Sequence, residues 1–199
     1  TKRYTEEAIR FIERSKDRPF FIYLPYSMVH VPLFASKKFY GKSPRGLYGD
    51  TVEEIDWSAG EIIANLKKLG IADNTLIFFT SDNGPWLPYG AHGGSAGLLK
   101  LGKGSTWEGG MREPTVAYWP AGIRDPGTVT QELGSTLDIF TTCVRLAGGE
   151  LPRDRVLDGV DLTPVLQGTG VSPRKTMFYY RGDELWAVRH GDFKAHYKS

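Results

Sequence analysis

The sequence predicts an α/β fold from two uninterrupted apolar runs and the long amphipathic helix between them. The runs are Phe20-Phe21-Ile22-Tyr23-Leu24 and Thr75-Leu76-Ile77-Phe78-Phe79-Thr80. A run without polar alternation reads as a strand buried on both faces, and strand, helix, strand of this kind implies a parallel sheet covered by helices.

The elements follow in order. Residues 1–16 read as a helix with Ala8, Ile9 and Ile12 on one face and charges on the other. A helical start without Met or leader gives two expectations, that the chain begins inside a larger protein or that it is a mature chain trimmed close to its first helix. After the first strand, closed by Pro25, residues 26–49 form a loop rich in aromatics, Lys and Pro. Over residues 50–69, Val52, Ile55, Ala59, Ile62, Leu66 and Leu69 recur at threes and fours, one face of a helix. Asp50 with Glu53 resembles a capping box, and Gly70 supplies the stop. The second strand ends in Ser81-Asp82-Asn83-Gly84. Residues 115–119 give a third strand, and residues 134–147 a helix with Leu137, Phe140, Val144 and Ala147 toward the core.

Past Gly148 the chain turns loop-rich and then yields short strands at 177–180, 186–190 and 193–197. Gly191-Asp192 between the last two is a hairpin signal. The expected organisation is residues 1–150 as part of an α/β core, and 151–199 as a linker with the start of a small antiparallel subdomain.

Composition excludes several classes. The chain has 199 residues, 25 Lys+Arg against 23 Asp+Glu and a single Cys. The length suffices for a hydrophobic core. One thiol makes no intrachain disulfide, and no Cys/His cluster has zinc spacing. Basic residues are interspersed with acids rather than gathered in a stripe, so nucleic acid is not an expected partner. No apolar run approaches the roughly 18 residues of a membrane span.

Ligands of open α/β sheets bind at the carboxyl ends of strands. There the chain places Met28-Val29-His30-Val31-Pro32 and Ser81-Asp82-Asn83-Gly84-Pro85. Asp82 and Asn83 set a carboxylate beside an amide oxygen, suited to a hard cation such as Ca²⁺, with Mg²⁺ second. Asp-Asn-Gly is equally ordinary turn chemistry, and two ligands do not complete a shell of about 6 to 8 oxygens. Nine of the 24 glycines lie from Gly84 to Gly110. Gly102-Lys103-Gly104-Ser105-Thr106 lacks the spacing of a nucleotide phosphate loop, which leaves a pliant backbone with Lys103 as a point charge for an anion, or a solvated surface lysine. His30 reads either as a proton donor or anion ligand, or as a core histidine bonded to backbone. His92, His190 and His196 carry the same ambiguity. Cys143, beside Phe140 and Val144, reads as a small core hydrophobe. Arg181-Gly182-Asp183 marks a strand end and turn.

The segments Phe78-Phe79-Thr80-Ser81-Asp82-Asn83-Gly84 and Gly102-Lys103-Gly104-Ser105-Thr106-Trp107-Glu108-Gly109-Gly110-Met111-Arg112-Glu113-Pro114 resemble the sulfatases, within them the branch of arylsulfatase A and N-acetylgalactosamine-6-sulfatase. Tyr48-Gly49-Asp50, Asp158-Gly159-Val160-Asp161-Leu162, Tyr180-Arg181-Gly182-Asp183 and Lys194-Ala195-His196-Tyr197 extend the likeness in order over nearly the whole chain. The resemblance implies an alkaline-phosphatase-like sheet covered by helices with a small C-terminal antiparallel subdomain. It implies calcium ligation by Asp82 and Asn83, and roles for His30 and Lys103 in holding the sulfate and stabilising or protonating the leaving-group oxygen. The implied partner is a small-molecule or glycan sulfate ester, the full-length protein a homo-oligomer, and the compartment secreted, periplasmic or lysosomal.

The sulfatase nucleophile is a formylglycine made from the Cys of Cys-x-Pro-x-Arg. Cys143-Val144-Arg145-Leu146 is not that motif. The paired aspartates that complete the family's calcium site are also missing. The chain thus resembles a C-terminal portion, a fragment of a sulfuric ester hydrolase acting on aryl or sugar sulfates and inactive alone. The alternatives are an inactive sulfatase-like anion-binding module, or a phosphatase or phosphonate hydrolase of the same superfamily. Trp86, Tyr89 and His92 are expected to border the pocket, where aromatics suit a sugar or aryl group.

Overall fold

The computed structural model describes residues 1–198. They form two compact units, Thr1–Thr75 with Asn83–Arg112, and Leu76–Asp82 with Glu113 onward. Residues 113–150 thus cluster with the C-terminal strands.

In the first unit, helix α1 (Lys2–Ser15) packs on helix α2 (Gly46–Lys68), and α3 is the single turn Glu108–Met111. Ala8 and Ile12 of α1 are buried as their spacing predicts, as are Ile55 and Leu66 of α2. The seam between the helices is otherwise polar. Thr5 Oγ1 and Ser58 Oγ share a hydrogen bond of 2.6 Å, Tyr26 Oη lies 2.7 Å from the same Ser58 Oγ, and Asn65 Nδ2 donates to Glu13 Oε1 at 3.1 Å. Buried hydroxyls and amides are tolerated because they are paired in this way.

Helix α2 begins four residues before the expected start, which overturns the capping-box reading of Asp50. Asp50 lies inside the helix, fully buried, and its carboxylate accepts the backbone N–H groups of Gly41 (2.7 Å), Lys42 (3.0 Å) and Ser43 (2.8 Å). It organises the preceding loop instead of capping its own helix. Glu54, one turn further, accepts from Ser36 N at 2.7 Å. Val52, placed on the core face by periodicity, is exposed.

The run at residues 20–24 belongs to no strand. Phe21 is 65% and Tyr23 78% exposed, so a strand buried on both faces is not found. An apolar run becomes a strand only when its backbone donors and acceptors meet a neighbour, and among the described residues this one meets none.

In the second unit, β1 (Ile77–Thr80) pairs with β2 (Thr115–Tyr118) in a two-stranded sheet, antiparallel, with Ile77 opposite Tyr118 and Thr80 opposite Thr115. The expected parallel pairing does not occur among the described residues. The C-terminal sheet agrees with its sequence signals. β3 (Thr176–Arg181), β4 (Glu184–His190) and β5 (Phe193–His196) form an antiparallel meander. Gly182 and Gly191 turn its corners at φ +62° and +56°, a region glycine enters without cost.

Helix α4 (Leu137–Leu146) presents the opposite face to the one its hydrophobic pattern predicts. Leu137 and Phe140 are 51% and 53% exposed, Ala147 beyond its end is exposed, and Asp138, Thr141 and Thr142 are buried. The reason is polar. Asp138 accepts from Ser135 N (2.7 Å) and Val160 N (2.8 Å) and receives Arg174 through Nε (3.0 Å) and Nη2. Thr142 Oγ1 accepts from Leu162 N at 3.0 Å. These bonds stitch the loop at 158–162 across the helix and decide which side is covered. Cys143 is half-buried and unbridged, and burial raises its thiol pKa, in keeping with an inert thiol.

Candidate functional site

In the first unit, three side chains gather around one indole. The Trp86 ring centroid lies 5.6 Å from that of His30 and 4.5 Å from that of Tyr89, and the Lys103 ammonium stands over its face at 5.1 Å. Main-chain bonds fix the loops. Trp86 N donates to Gly93 O at 2.9 Å, and Lys103 N donates to Pro85 O at 2.9 Å. Leu101, two residues before Lys103, holds φ at +62°, a strained value for a branched side chain.

His30 is exposed, between the cis peptides Met28–Val29 and Val31–Pro32. Its Nδ1 lies 2.7 Å from Val31 O. A carbonyl only accepts, so the proton of that bond sits on Nδ1, and Nε2 is the nitrogen free to exchange a proton with a ligand. The structure therefore brings His30 and Lys103 together on one aromatic surface, 73 residues apart in sequence. His92 ends the 3₁₀ segment Leu87–His92, which breaks at Gly90, and is exposed. His190 Nδ1 bonds Thr176 Oγ1 at 2.9 Å inside the C-terminal sheet, a structural use.

The strap that carries Lys103 is held by backbone proximity. Gly84 N donates to Gly110 O at 3.1 Å and Gly109 N to Lys100 O at 2.9 Å. A Cβ at Gly84 would stand 1.9 Å from Gly109 O, so only glycine allows this approach. Lys100, which the sequence did not single out, places its ammonium 3.4 Å from the Trp107 ring centroid.

In the second unit, Asp82 follows the end of β1 and is exposed, and Asn83 is the next residue in the chain. Glu113 precedes β2. Burial and the negative charge of Asp82 raise its carboxyl pKa, and its Oε1 is buried without a hydrogen-bond partner. Two carboxylates at one strand end, one with an orphaned oxygen, fit a divalent cation. No group of three or more His, Cys, Asp or Glu side chains that could hold a metal converges among the described residues.

Comparison with known proteins decides the family. The family model described as Sulfatase matches residues 1–149, and that described as C-terminal region of aryl-sulfatase matches residues 172–199. The chain belongs to the sulfatase family. This sulfatase chain is 49% identical over 200 residues to N-acetylgalactosamine-6-sulfatase of Canis lupus familiaris, covering 99% of the chain and 38% of that protein. It is 49% identical over 185 residues to arylsulfatase A of Bos taurus, covering 90% and 36%. Among solved structures, the PsFucS1 sulfatase from Pseudoalteromonas sp. superposes with a TM-score of 0.91 at 36% identity, covering 97% of the chain and 39% of that protein. The sulfatase chain thus spans about two fifths of the length of such relatives, and its mixture of helices with antiparallel sheets belongs to their fold.

Proposed function

We propose that the chain is the C-terminal portion of a calcium-dependent sulfuric ester hydrolase of the arylsulfatase A and N-acetylgalactosamine-6-sulfatase branch, acting on aryl or sugar sulfates. The observation that carries this reading is the convergence of His30 and Lys103 on Trp86 within a chain of this family. Lys103 supplies a fixed positive charge to the sulfuryl oxygens, whose negative charge must be held as the ester bond breaks. His30, with Nδ1 committed to Val31 O, delivers the proton on Nε2 to the departing oxygen and is left as the neutral Nδ1–H ring. Asp82 and Asn83 contribute oxygens to calcium, which when bound neutralises charge on the sulfate. The formylglycine nucleophile of this reading has no position in the chain. Cys143 lies on α4 with a raised thiol pKa and stands outside the required motif. The proposed compartment is secreted, periplasmic or lysosomal, and no helix among the described residues is long and apolar enough to cross a membrane.

The test uses the full-length protein. Lys103→Ala and His30→Ala are each expected to lower kcat on a chromogenic aryl sulfate by about 10²-fold or more. Unchanged turnover in both variants, or a preference for the matching phosphate ester, refutes the reading. The isolated 199-residue chain is expected to show no turnover.

A further inference from the structure

The chain as a whole mixes its charges, but residues 18–49 contain no Asp or Glu and hold Arg18, Lys37, Lys38, Lys42 and Arg45. Four of these cations fall in residues 34–45, the loop that leads from the His30 segment into α2. All four are exposed, and among the described residues none has an acidic partner. The loop's path is nonetheless fixed from beneath. Glu54 accepts Ser36 N, and Asp50 accepts the N–H groups of Gly41, Lys42 and Ser43, both carboxylates being buried on α2. Those negative charges are engaged by backbone donors, which leaves the cationic side chains available to a ligand. At the loop's start, Phe34 N donates to Met28 Sδ at 3.3 Å, which folds it back on the segment bearing His30. Aromatic rings are interleaved with the cations. Phe34 and Tyr40 are 69% and 65% exposed, and the Lys38 ammonium lies 4.6 Å from the Trp57 ring centroid and 5.2 Å from that of Phe39. A merely solvated surface mixes both signs of charge and exposes few rings. Cations between apolar ring faces suit a sugar polymer, whose own apolar faces lie between charged substituents.

We propose that residues 34–45 are a docking loop for a glycan chain that carries several sulfates. The choice of ligand rests on the sulfate-ester reading above: with one ester at His30 and Lys103, neighbouring sulfates of the same chain fall to the loop. Lys37, Lys38, Lys42 and Arg45 attract those sulfates by charge, and Phe34 and Tyr40 cover sugar faces. The loop then governs KM for a polysulfated substrate and is silent toward a small monosulfate.

That contrast gives the test, on the full-length protein, with a size-defined dextran sulfate as the probe and neutral dextran and a DNA duplex of equal charge beside it. The triple variant Lys37→Gln, Lys38→Gln, Lys42→Gln should bind dextran sulfate about 5-fold or more weakly at low salt, the difference shrinking as salt rises. Its kcat/KM on a chromogenic aryl monosulfate should stay within about two-fold of the parent and its Tm should not move, as at other exposed positions. A matched control, Arg14→Gln, Lys16→Gln, Lys68→Gln, removes the same charge from exposed positions elsewhere in the first unit. Affinity of the loop variant within two-fold of the parent overturns the proposal. So does an equal loss in the control, which is the mark of net charge alone, or a parent that binds dextran sulfate no better than neutral dextran. A matching fall in aryl monosulfate turnover overturns the docking role, and tighter binding of the DNA duplex overturns the choice of a glycan. If the loop variant loses affinity while the parent turns over no sulfate ester, the docking loop stands and the hydrolase reading falls.

Discussion

Arg174 and Asp138 form the most consequential buried contact of the second unit, and removing one partner has a calculable effect. Their side chains are 8% and 0% exposed. The carboxylate takes two guanidinium donors and two backbone N–H groups, and Arg174 Nη2 also donates to Asp158 O at 2.8 Å. Breaking a buried pair by deleting one ion costs about 3–5 kcal/mol. Arg174→Met falls at the low end, about 3 kcal/mol, because Ser135 N and Val160 N still hold the carboxylate. For a unit of fewer than about 100 residues that lowers Tm by roughly 12–24 °C. Asp138→Asn also costs about 3 kcal/mol, since one acceptor becomes a donor facing Arg174 and the backbone. The double variant leaves no lone buried charge, so its loss should fall short of additivity by about 2 kcal/mol. Chemical denaturation of the four proteins measures all three quantities. A loss under 1 kcal/mol for Arg174→Met, or strict additivity, refutes the claim that this pair holds the loop at 158–162 over α4.

Two further predictions concern the first unit. The Asp50 carboxyl is held below the usual aspartate value by the backbone N–H groups of Ser43, Gly41 and Lys42. Its contribution to stability is therefore complete above the unfolded pKa of about 3.9 and is lost as pH falls through the lower folded value. Asp50→Asn should lower Tm at neutral pH and flatten the pH dependence below about 4, and a parallel acid limb in both proteins contradicts this. In the full-length enzyme, Trp86→Ala frees the Lys103 ammonium and unseats His30. A cation–π contact is worth about 0.5–2 kcal/mol, so kcat/KM for an aryl sulfate should fall at least about 2-fold. Unchanged kcat/KM and unchanged preference between aryl and sugar sulfates count against the indole as the surface that organises them.

Legibility followed the kind of signal each element carries. The meander at 176–196 was readable because its turns need glycine at positive φ and its strands alternate. Helix α1 was readable because Ala8 and Ile12 are the residues it buries. Helix α4 misled because its covered face is chosen by Asp138 and Thr142, whose partners lie 20 or more residues away in sequence. Hydrophobic periodicity has no access to such bonds. Asp50 misled for the same reason. Its donors precede it by seven to nine residues and lie in a loop, a pattern that local capping rules do not contain. The run at 20–24 shows the converse, an apolar string with the composition of a strand and no ladder to join. At the candidate site, His30 and Lys103 were singled out one at a time from residue type and position, and the ring of Trp86 that they share depends on loops closing.

The glycine strap from Gly84 to Gly110 has a consequence for how this site can change over evolutionary time. Its shape is set by main-chain contacts at Gly84, Gly109 and Gly110, where no side chain fits. The residues between those glycines are correspondingly released from architectural duty. Exchanges at positions such as Tyr89, Lys100 or Trp107 alter what the strap offers a substrate while leaving its path intact, whereas a single methyl at Gly84 displaces the whole segment. Under the proposed function, selection for a new ester would act on the decoration, with the frame unchanged beneath it.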